Sequence, residues 1–112
     1  MVGHQIMTEV DADTPSDLSH AVVTDLLKQE LGFKGLAITD AQNMNTISAN
    51  YSSGEAAVLA IQAGIDIVLM PVNLTEAVEG VYQAVQDGTI SEERIDESVQ
   101  KILLQKQRAG LL

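Results

Sequence analysis

Apolar residues are distributed along this chain in two alternating patterns. Short, nearly continuous apolar runs begin near residues 1, 36 and 65. Each is followed by a longer stretch in which apolar residues recur three or four positions apart, the spacing of one helix face. The first of these stretches starts after Ser19, a residue type that caps helices, and ends at Gly32, and the second ends at Gly64. The pattern predicts a strand followed by a helix, repeated along the chain.

Further helices are predicted towards the end of the chain. Asn73 and Glu76 have the spacing of a helix-capping pair, and the apolar stripe that follows them ends near Gly88. Ser91 begins the last helix, whose first turn is acidic and whose end is basic, as the helix dipole favours. Because predicted strands about 30 residues apart alternate with helices, we expect an α/β fold with a parallel sheet.

The composition is typical of a folded domain and excludes several classes of partner. Hydrophobic residues make up 46% of the chain and charged residues 20%, as in globular proteins. The net charge of −10 would repel the phosphates of nucleic acid. No apolar run reaches the roughly 18 residues of a membrane-spanning helix, and there is no cysteine to ligate a metal. We therefore expect no nucleic-acid partner and no membrane span, and no spacing of His and carboxylate residues indicates a metal site.

Asp40 is the first candidate for chemistry, because it ends a predicted strand and begins a polar loop. Functional residues of parallel α/β folds lie at such positions. The alternative is a structural role, since Asp residues at strand ends also hold turns through backbone amides. His4 has a similar position after the first apolar run, with a core or turn role as its alternative. Asp66, near the start of a predicted strand, is interpreted as structural, paired with a backbone amide or a basic neighbour.

Three parts of the chain resemble glycoside hydrolase family 3. The active-site signature of that family, a short apolar strand ending in Ser/Thr-Asp with the Asp as nucleophile, is similar to residues 26–40, LLKQELGFKGLAITD. Residues 51–71 and 94–103 are similar to segments that follow this Asp, and the start, MVGH, looks like the preceding barrel strand. The resemblance implies that residues 1–112 are the C-terminal portion of a (β/α)8 TIM-like barrel, about three βα units plus a closing helix. The N-terminal part of the catalytic barrel domain would be missing, since a whole barrel needs about 250 residues.

The residues directly after Asp40 resemble one branch of the family. β-Glucosidase-like members usually have a Trp after the nucleophile, whereas this chain has Ala41 in the run DAQNM. That run resembles the β-N-acetylhexosaminidase branch, which implies a carbohydrate substrate with a terminal β-linked N-acetylglucosamine, on a glycan or cell-wall fragment. The resemblance also implies that the sugar is released without a metal or an organic cofactor. Met44 would border the sugar site or fill the core of its loop, and His4 is the second residue assigned to substrate binding. A β-glucosidase-type specificity is the alternative.

The resemblance also implies a retaining mechanism, in which Asp40 forms a covalent glycosyl-enzyme. Such enzymes need an acid/base partner about 5 Å from the nucleophile. In the hexosaminidase branch this partner resembles an Asp-His pair upstream of the present segment, and neither His4 nor His20 matches it. We therefore expect the isolated chain to be inactive. The rival hypothesis is a half-barrel that acts only by association, since open sheet edges pair with other chains.

Overall fold

All 112 residues are described by a computed structural model. Its α-helices are a single turn, α1 (Asn45–Ser48), and three longer helices, α2 (Ser53–Ala63), α3 (Leu74–Gln86) and α4 (Glu92–Arg108). No helix combines the length and apolar character needed to cross a membrane. The three longer helices were predicted from the spacing of apolar residues, whereas α1 lies in a stretch that was predicted to be a polar loop.

A 3₁₀ turn (Ser16–Leu18) and a π-helix (Ala21–Glu30) precede the α-helices. The π-helix lies where an α-helix was predicted. At its end the N–H of Leu31 donates to the carbonyl of Leu26, five residues back, at 2.9 Å. Gly32 follows with φ 71°, the left-handed conformation expected of a glycine that ends a helix.

The predicted ends of the later helices are confirmed. The Asn73 side chain accepts a hydrogen bond from the N–H of Glu76 at 3.0 Å, and the Ser91 hydroxyl accepts one from Arg94 at 3.2 Å. Gly64, after α2, has φ 117°, which only glycine adopts without strain. These caps satisfy backbone groups that a helix end leaves unpaired.

Three extended segments, residues 1–5, 36–40 and 65–70, are joined by isolated parallel bridges, and we call them segments 1, 2 and 3. The bridged pairs are Val2 with Thr39 and Ile38 with Ile67, so segment 2 lies between the other two. The parallel direction agrees with the prediction. The prediction of continuous β-strands, and hence of complete βα units, is not confirmed, because each pairing extends no further than a bridge.

Side chains interrupt the ladder between segments 2 and 3. The N–H of Ala37 donates to the Asp66 carboxylate at 2.9 Å, and the N–H of Leu69 donates to the Thr39 hydroxyl at 2.9 Å. In a regular parallel ladder both N–H groups would bond to carbonyls of the neighbouring strand. The carbonyl of Ile65 instead accepts a hydrogen bond from the Arg94 guanidinium at 2.7 Å. On both sides of the bridge, side-chain hydrogen bonds therefore replace the backbone hydrogen bonds that would extend the ladder.

The core lies between segments 2 and 3 and the helices that cover them. Helix α2 contributes small side chains, and Ala60 is 0% exposed. Small residues also allow α2 and α3 to approach closely, because a Cβ on Gly80 would lie 2.8 Å from the Cα of Gly54. The buried cluster consists of Leu18, Val23, Ala37, Ile47, Ala56, Ala60, Ala63 and Ile65.

Candidate active site

Asp40 lies where the ends of the three extended segments meet. Its N–H donates to the carbonyl of Val2, in segment 1, at 2.9 Å. Two residues later the N–H of Gln42 donates to the carbonyl of Leu69, in segment 3, also at 2.9 Å. Asp40 thus ends segment 2 beside the carboxyl ends of both neighbours, the edge at which parallel folds carry their functional residues.

The Asp40 carboxylate is partly engaged with its own loop. Its Oδ1 accepts a hydrogen bond from the N–H of Ala41 at 2.8 Å, whereas Oδ2 has no donor from the chain. The turn-holding role weighed as an alternative for Asp40 is therefore present in the structure. It uses one carboxylate oxygen and leaves the other free, so it is compatible with a chemical role for the same side chain.

His4 is buried next to Asp40, with both ring nitrogens facing protein atoms. Its Nε2 donates to the carbonyl of Ala41 at 2.9 Å, and its Nδ1 lies 3.0 Å from Oδ2 of Asp17. The second contact does not have the geometry of a hydrogen bond, so we describe it as an ion pair. The side chains of His4 and Asp17 are 5% and 0% exposed. No direct contact between His4 and a substrate follows from this geometry, so its assignment to substrate binding stays a prediction.

The pKa values of this buried pair are shifted. Burial on its own lowers the pKa of His4, but the contacts with Asp17 and the Ala41 carbonyl, and the charges of Asp17 and Asp40, outweigh it and raise the pKa above 6.5. Burial raises the pKa of Asp17 above 3.8, and the contact with His4 opposes that rise. The net effect is that the pair holds protons more tightly than the free side chains would.

Met44 lies in the loop after Asp40 and caps the short helix α1. It is 45% exposed, and its carbonyl accepts hydrogen bonds from Ile47 and Ser48, both at 3.0 Å. The core of this loop is filled by Ile47, which is 1% exposed, rather than by Met44. An exposed thioether beside the Asp40 loop is available to a ligand, and its role in binding stays a prediction.

Two residues of this region were not singled out from the sequence. Asp17 stands in the polar stretch TEVDADTPSD, in which no periodicity distinguishes it from the exposed Asp13. Met70, at the end of segment 3, is the only non-glycine residue with positive φ, at 48°. The Pro71 that follows favours extended backbone for its predecessor, so the sequence carries no signal for this conformation.

The open cleft next to this region does not include Asp40. This cleft, of about 360 Å³, lies between the first loop and the loop after Asp40, lined by Ile6, Asp13, Pro15, Thr46, Asn50 and Tyr51. No group of three or more His, Asp or Glu side chains is arranged to hold a metal ion. The ionisable groups at this end of the segments are the Asp40 carboxylate and the buried His4–Asp17 pair beside it.

Comparison with known families gives a match along nearly the whole chain. The family model described as "Glycosyl hydrolase family 3 N terminal domain" matches residues 1–104. A solved β-N-acetylglucosaminidase of this family from Paenibacillus is 42% identical, with a TM-score of 0.85 over 88% of this chain and 19% of that one.

Curated relatives have both specificities in their names. A "Beta-N-acetylglucosaminidase/beta-glucosidase" of Cellulomonas fimi is 34% identical over 87% of this chain. A "Lysosomal beta glucosidase" of Dictyostelium discoideum is 35% identical, also over 87% of this chain. The chain spans only 17% and 12% of the length of these two relatives.

Proposed function

Because the chain belongs to glycosyl hydrolase family 3, we propose that it supplies the catalytic nucleophile of a retaining glycosidase, the carboxylate of Asp40. Substrates of such hydrolases are carbohydrates, and the family's N-terminal domain is known as a TIM-barrel-like fold. The observation that carries the proposal is the location of Asp40 at the carboxyl ends of three parallel segments, with Oδ2 free of protein donors. Within the complete protein, residues 1–112 would form the later βα units of that barrel.

The reaction would proceed in two displacements. Oδ2 of Asp40 attacks the anomeric carbon and forms a C–O bond while the glycosidic C–O bond breaks, and an acid gives the leaving oxygen a proton. Water then attacks the anomeric carbon and loses a proton to the same group, which frees the sugar and the carboxylate. The acid/base would come from a part of the protein outside these residues, because His4 is enclosed by Ala41 and Asp17 and His20 lies on the surface.

We further propose that the sugar hydrolysed is a terminal β-linked N-acetylglucosamine. Support comes from Ala41, which leaves room after the nucleophile, and from the 42% identity to the Paenibacillus N-acetylglucosaminidase. Met44 would border the sugar, and His4 would contribute to binding by holding the loop. The β-glucosidase alternative has its own support in the names of the Cellulomonas and Dictyostelium relatives.

The test of the nucleophile is the variant Asp40→Asn in the complete protein. Removing a nucleophile lowers kcat by about 10⁴-fold or more. The matched control is Asp25→Asn, an Asp whose side chain is 58% exposed, which should keep full activity. A slow fluorinated substrate should also leave its sugar attached to a peptide that contains Asp40. Full activity of Asp40→Asn would refute the assignment.

The test of specificity compares two aryl substrates that differ only in the acetamido group. We expect a higher kcat/KM for the N-acetyl-β-glucosaminide than for the β-glucoside. A site built to pair with a polar group can discriminate by about 10⁴-fold, whereas filling a pocket gives far less. An equal or reversed preference would assign the protein to the glucosidase alternative.

We also propose that the 112-residue chain alone is inactive and self-associates. Segments 1 and 3 each have an unpaired edge, and α3 exposes Leu74 (68%), Val78 (59%) and Tyr82 (61%). Mass in solution, measured beside hydrolysis, tests both parts. A monomer with turnover that Asp40→Asn abolishes would mean that the acid/base lies within these residues.

A further inference from the structure

A buried Asp17–His4 pair is connected to Asp40 through the Ala41 peptide. The carbonyl of Ala41 accepts a hydrogen bond from Nε2 of His4 at 2.9 Å, and the N–H of Ala41 donates to Oδ1 of Asp40 at 2.8 Å. Ala41 is therefore held on one side by His4 and on the other by the proposed nucleophile. A shift of this peptide would reorient the Asp40 carboxylate.

His4 faces an acceptor at each ring nitrogen. A carbonyl oxygen and a carboxylate oxygen have no proton to offer, so both Nε2 and Nδ1 must carry one to make favourable contacts. These contacts favour the imidazolium form of His4. The charged groups that face it are Asp17 on one side and Asp40 on the other.

Asp17 is fixed in the interior although it has few partners. Its turn is held to segment 1 by Ser16, whose N–H and hydroxyl both donate to the carbonyl of Gln5, and by Leu18 in the core. Neither carboxylate oxygen of Asp17 accepts a hydrogen bond from the chain, and the side chain is 0% exposed. A buried carboxylate with so few donors is unfavourable for folding, and it is expected where a site needs its charge.

We propose that Asp17 and His4 are positioning residues for Asp40: Asp17 keeps His4 charged, and His4 fixes the Ala41 peptide that orients the Asp40 carboxylate. This inference rests on the proposed function of Asp40 as nucleophile. It adds that the orientation of the nucleophile depends on a proton held at His4, and it links the nucleophile to a loop that precedes it by more than twenty residues. When Asp40 becomes glycosylated, its negative charge disappears and His4 should hold its proton less tightly.

The first experiment compares isosteric variants in the complete protein. We expect Asp17→Asn and His4→Gln to lower kcat by roughly 10- to 100-fold, because small displacements of reacting groups have effects of that size, while KM rises by a smaller factor than kcat falls. Asp17→Asn should also move the alkaline limb of the pH–rate profile to lower pH. The matched controls are His20→Gln and Asp25→Asn, an exposed pair 3.4 Å apart that should behave like the parent protein.

The second experiment uses the unaltered protein and so does not depend on any variant folding. The ring nitrogens of His4 and His20 are titrated by NMR before and after a fluorinated substrate has trapped the glycosyl-enzyme. The pKa of His4 should fall on trapping, and the exposed His20 serves as the internal control. Either of two results would overturn the inference: an unchanged His4 titration, or Asp17→Asn and His4→Gln variants as active as the controls. If Asp40→Asn is inactive in the same assays, the proposed function stands although the inference fails. If Asp40→Asn keeps its activity, the proposed function and this inference both fail.

Discussion

One buried carboxylate lies at each end of the bridged segments, Asp66 at one end and Asp17 at the other. The two carboxylates differ in the groups that surround them. Asp66, at the start of segment 3, has a side chain that is 0% exposed and accepts hydrogen bonds from the N–H of Ala37 at 2.9 Å and the hydroxyl of Ser98 at 2.7 Å. The Arg94 guanidinium lies 3.9 Å away. Asp17, near the opposite end, is equally buried. Its carboxylate contacts only His4, and that contact does not have the geometry of a hydrogen bond.

This difference indicates different roles for the two ends. At the Asp66 end, Arg94 also donates to the carbonyls of Ile61 and Ile65, and Lys28 donates to the carbonyl of Gly64. Those contacts tie α2, α4 and the π-helix to segments 2 and 3 and satisfy buried backbone groups. At the Asp40 end, buried polar atoms remain without hydrogen bonds, and Met70 adopts a left-handed conformation. Incomplete pairing and strain are typical of functional sites.

The largest effect we expect from this comparison is on stability. Asp66→Asn keeps the side-chain size but offers one acceptor oxygen where two donors need partners, and it leaves Arg94 without its counter-charge. Breaking a buried ion pair costs about 3 kcal/mol or more, so the free energy of unfolding should fall by about 3 kcal/mol.

Asp17→Asn is the matched variant at the other end, and the comparison is measured by urea unfolding of the complete protein. Its effect should stay within about 1 kcal/mol, because no hydrogen bond to Asp17 is lost and His4 can release its proton. Equal losses for Asp66→Asn and Asp17→Asn would show that both ends are structural, contrary to the comparison.

The second effect concerns how stability depends on pH: the contributions of His4 and Lys28, at opposite ends of the segments, should change in opposite directions as the pH rises. The pKa of His4 is raised above 6.5, so its contribution to stability is complete below that value and is lost as the pH rises through the pKa in the folded state. Burial lowers the pKa of Lys28 below 10.5, although the charge of Asp66 opposes this, so its contribution to stability increases as the pH rises towards 10.5.

Variants can separate these two contributions. The stability difference between the parent protein and His4→Gln should shrink as the pH rises above 6.5, because the raised pKa of His4 makes its stabilising contribution a property of the protonated form. The difference between the parent protein and Lys28→Met should change in the opposite direction at alkaline pH. Unfolding curves collected over this range for both variants and for His20→Gln measure the two slopes. A slope for His4→Gln that matches His20→Gln would contradict the proton held at His4.

The Asp66 end was largely predictable from the sequence. Asp66 interrupts an apolar run near its start, and its interpretation as a structural residue paired with a backbone amide or a basic neighbour agrees with the contacts to Ala37 and Arg94. The helix ends at Gly64, Asn73 and Ser91 were also predictable, because capping depends on residues within a few positions of each other.

The Asp40 end was predictable only in part. The position of Asp40 after an apolar run was visible in the sequence, but the burial of Asp17 depends on Leu18 entering a core formed by distant residues. The interrupted ladder has a similar cause, because the side chains of Thr39 and Asp66 replace backbone acceptors across the sheet. Local propensity carries no signal for such tertiary contacts.

The smallest effect we expect concerns the backbone strain at Met70, which lies at the Asp40 end of segment 3. If this strain is real, it is a further difference between the two ends. A left-handed conformation costs a non-glycine residue about 1–2 kcal/mol, and glycine adopts it freely but loses about 0.5–1 kcal/mol through the entropy of the unfolded chain. Met70→Gly should therefore raise the free energy of unfolding by a few tenths of a kcal/mol to about 1 kcal/mol. The control is Met7→Gly, at a methionine that is 45% exposed, compared with 55% for Met70, and has no positive φ. Because Met7 has no strain to relieve, its variant should lose stability. If both variants lose stability equally, the left-handed conformation at Met70 costs no free energy, and there is no backbone strain at the Asp40 end.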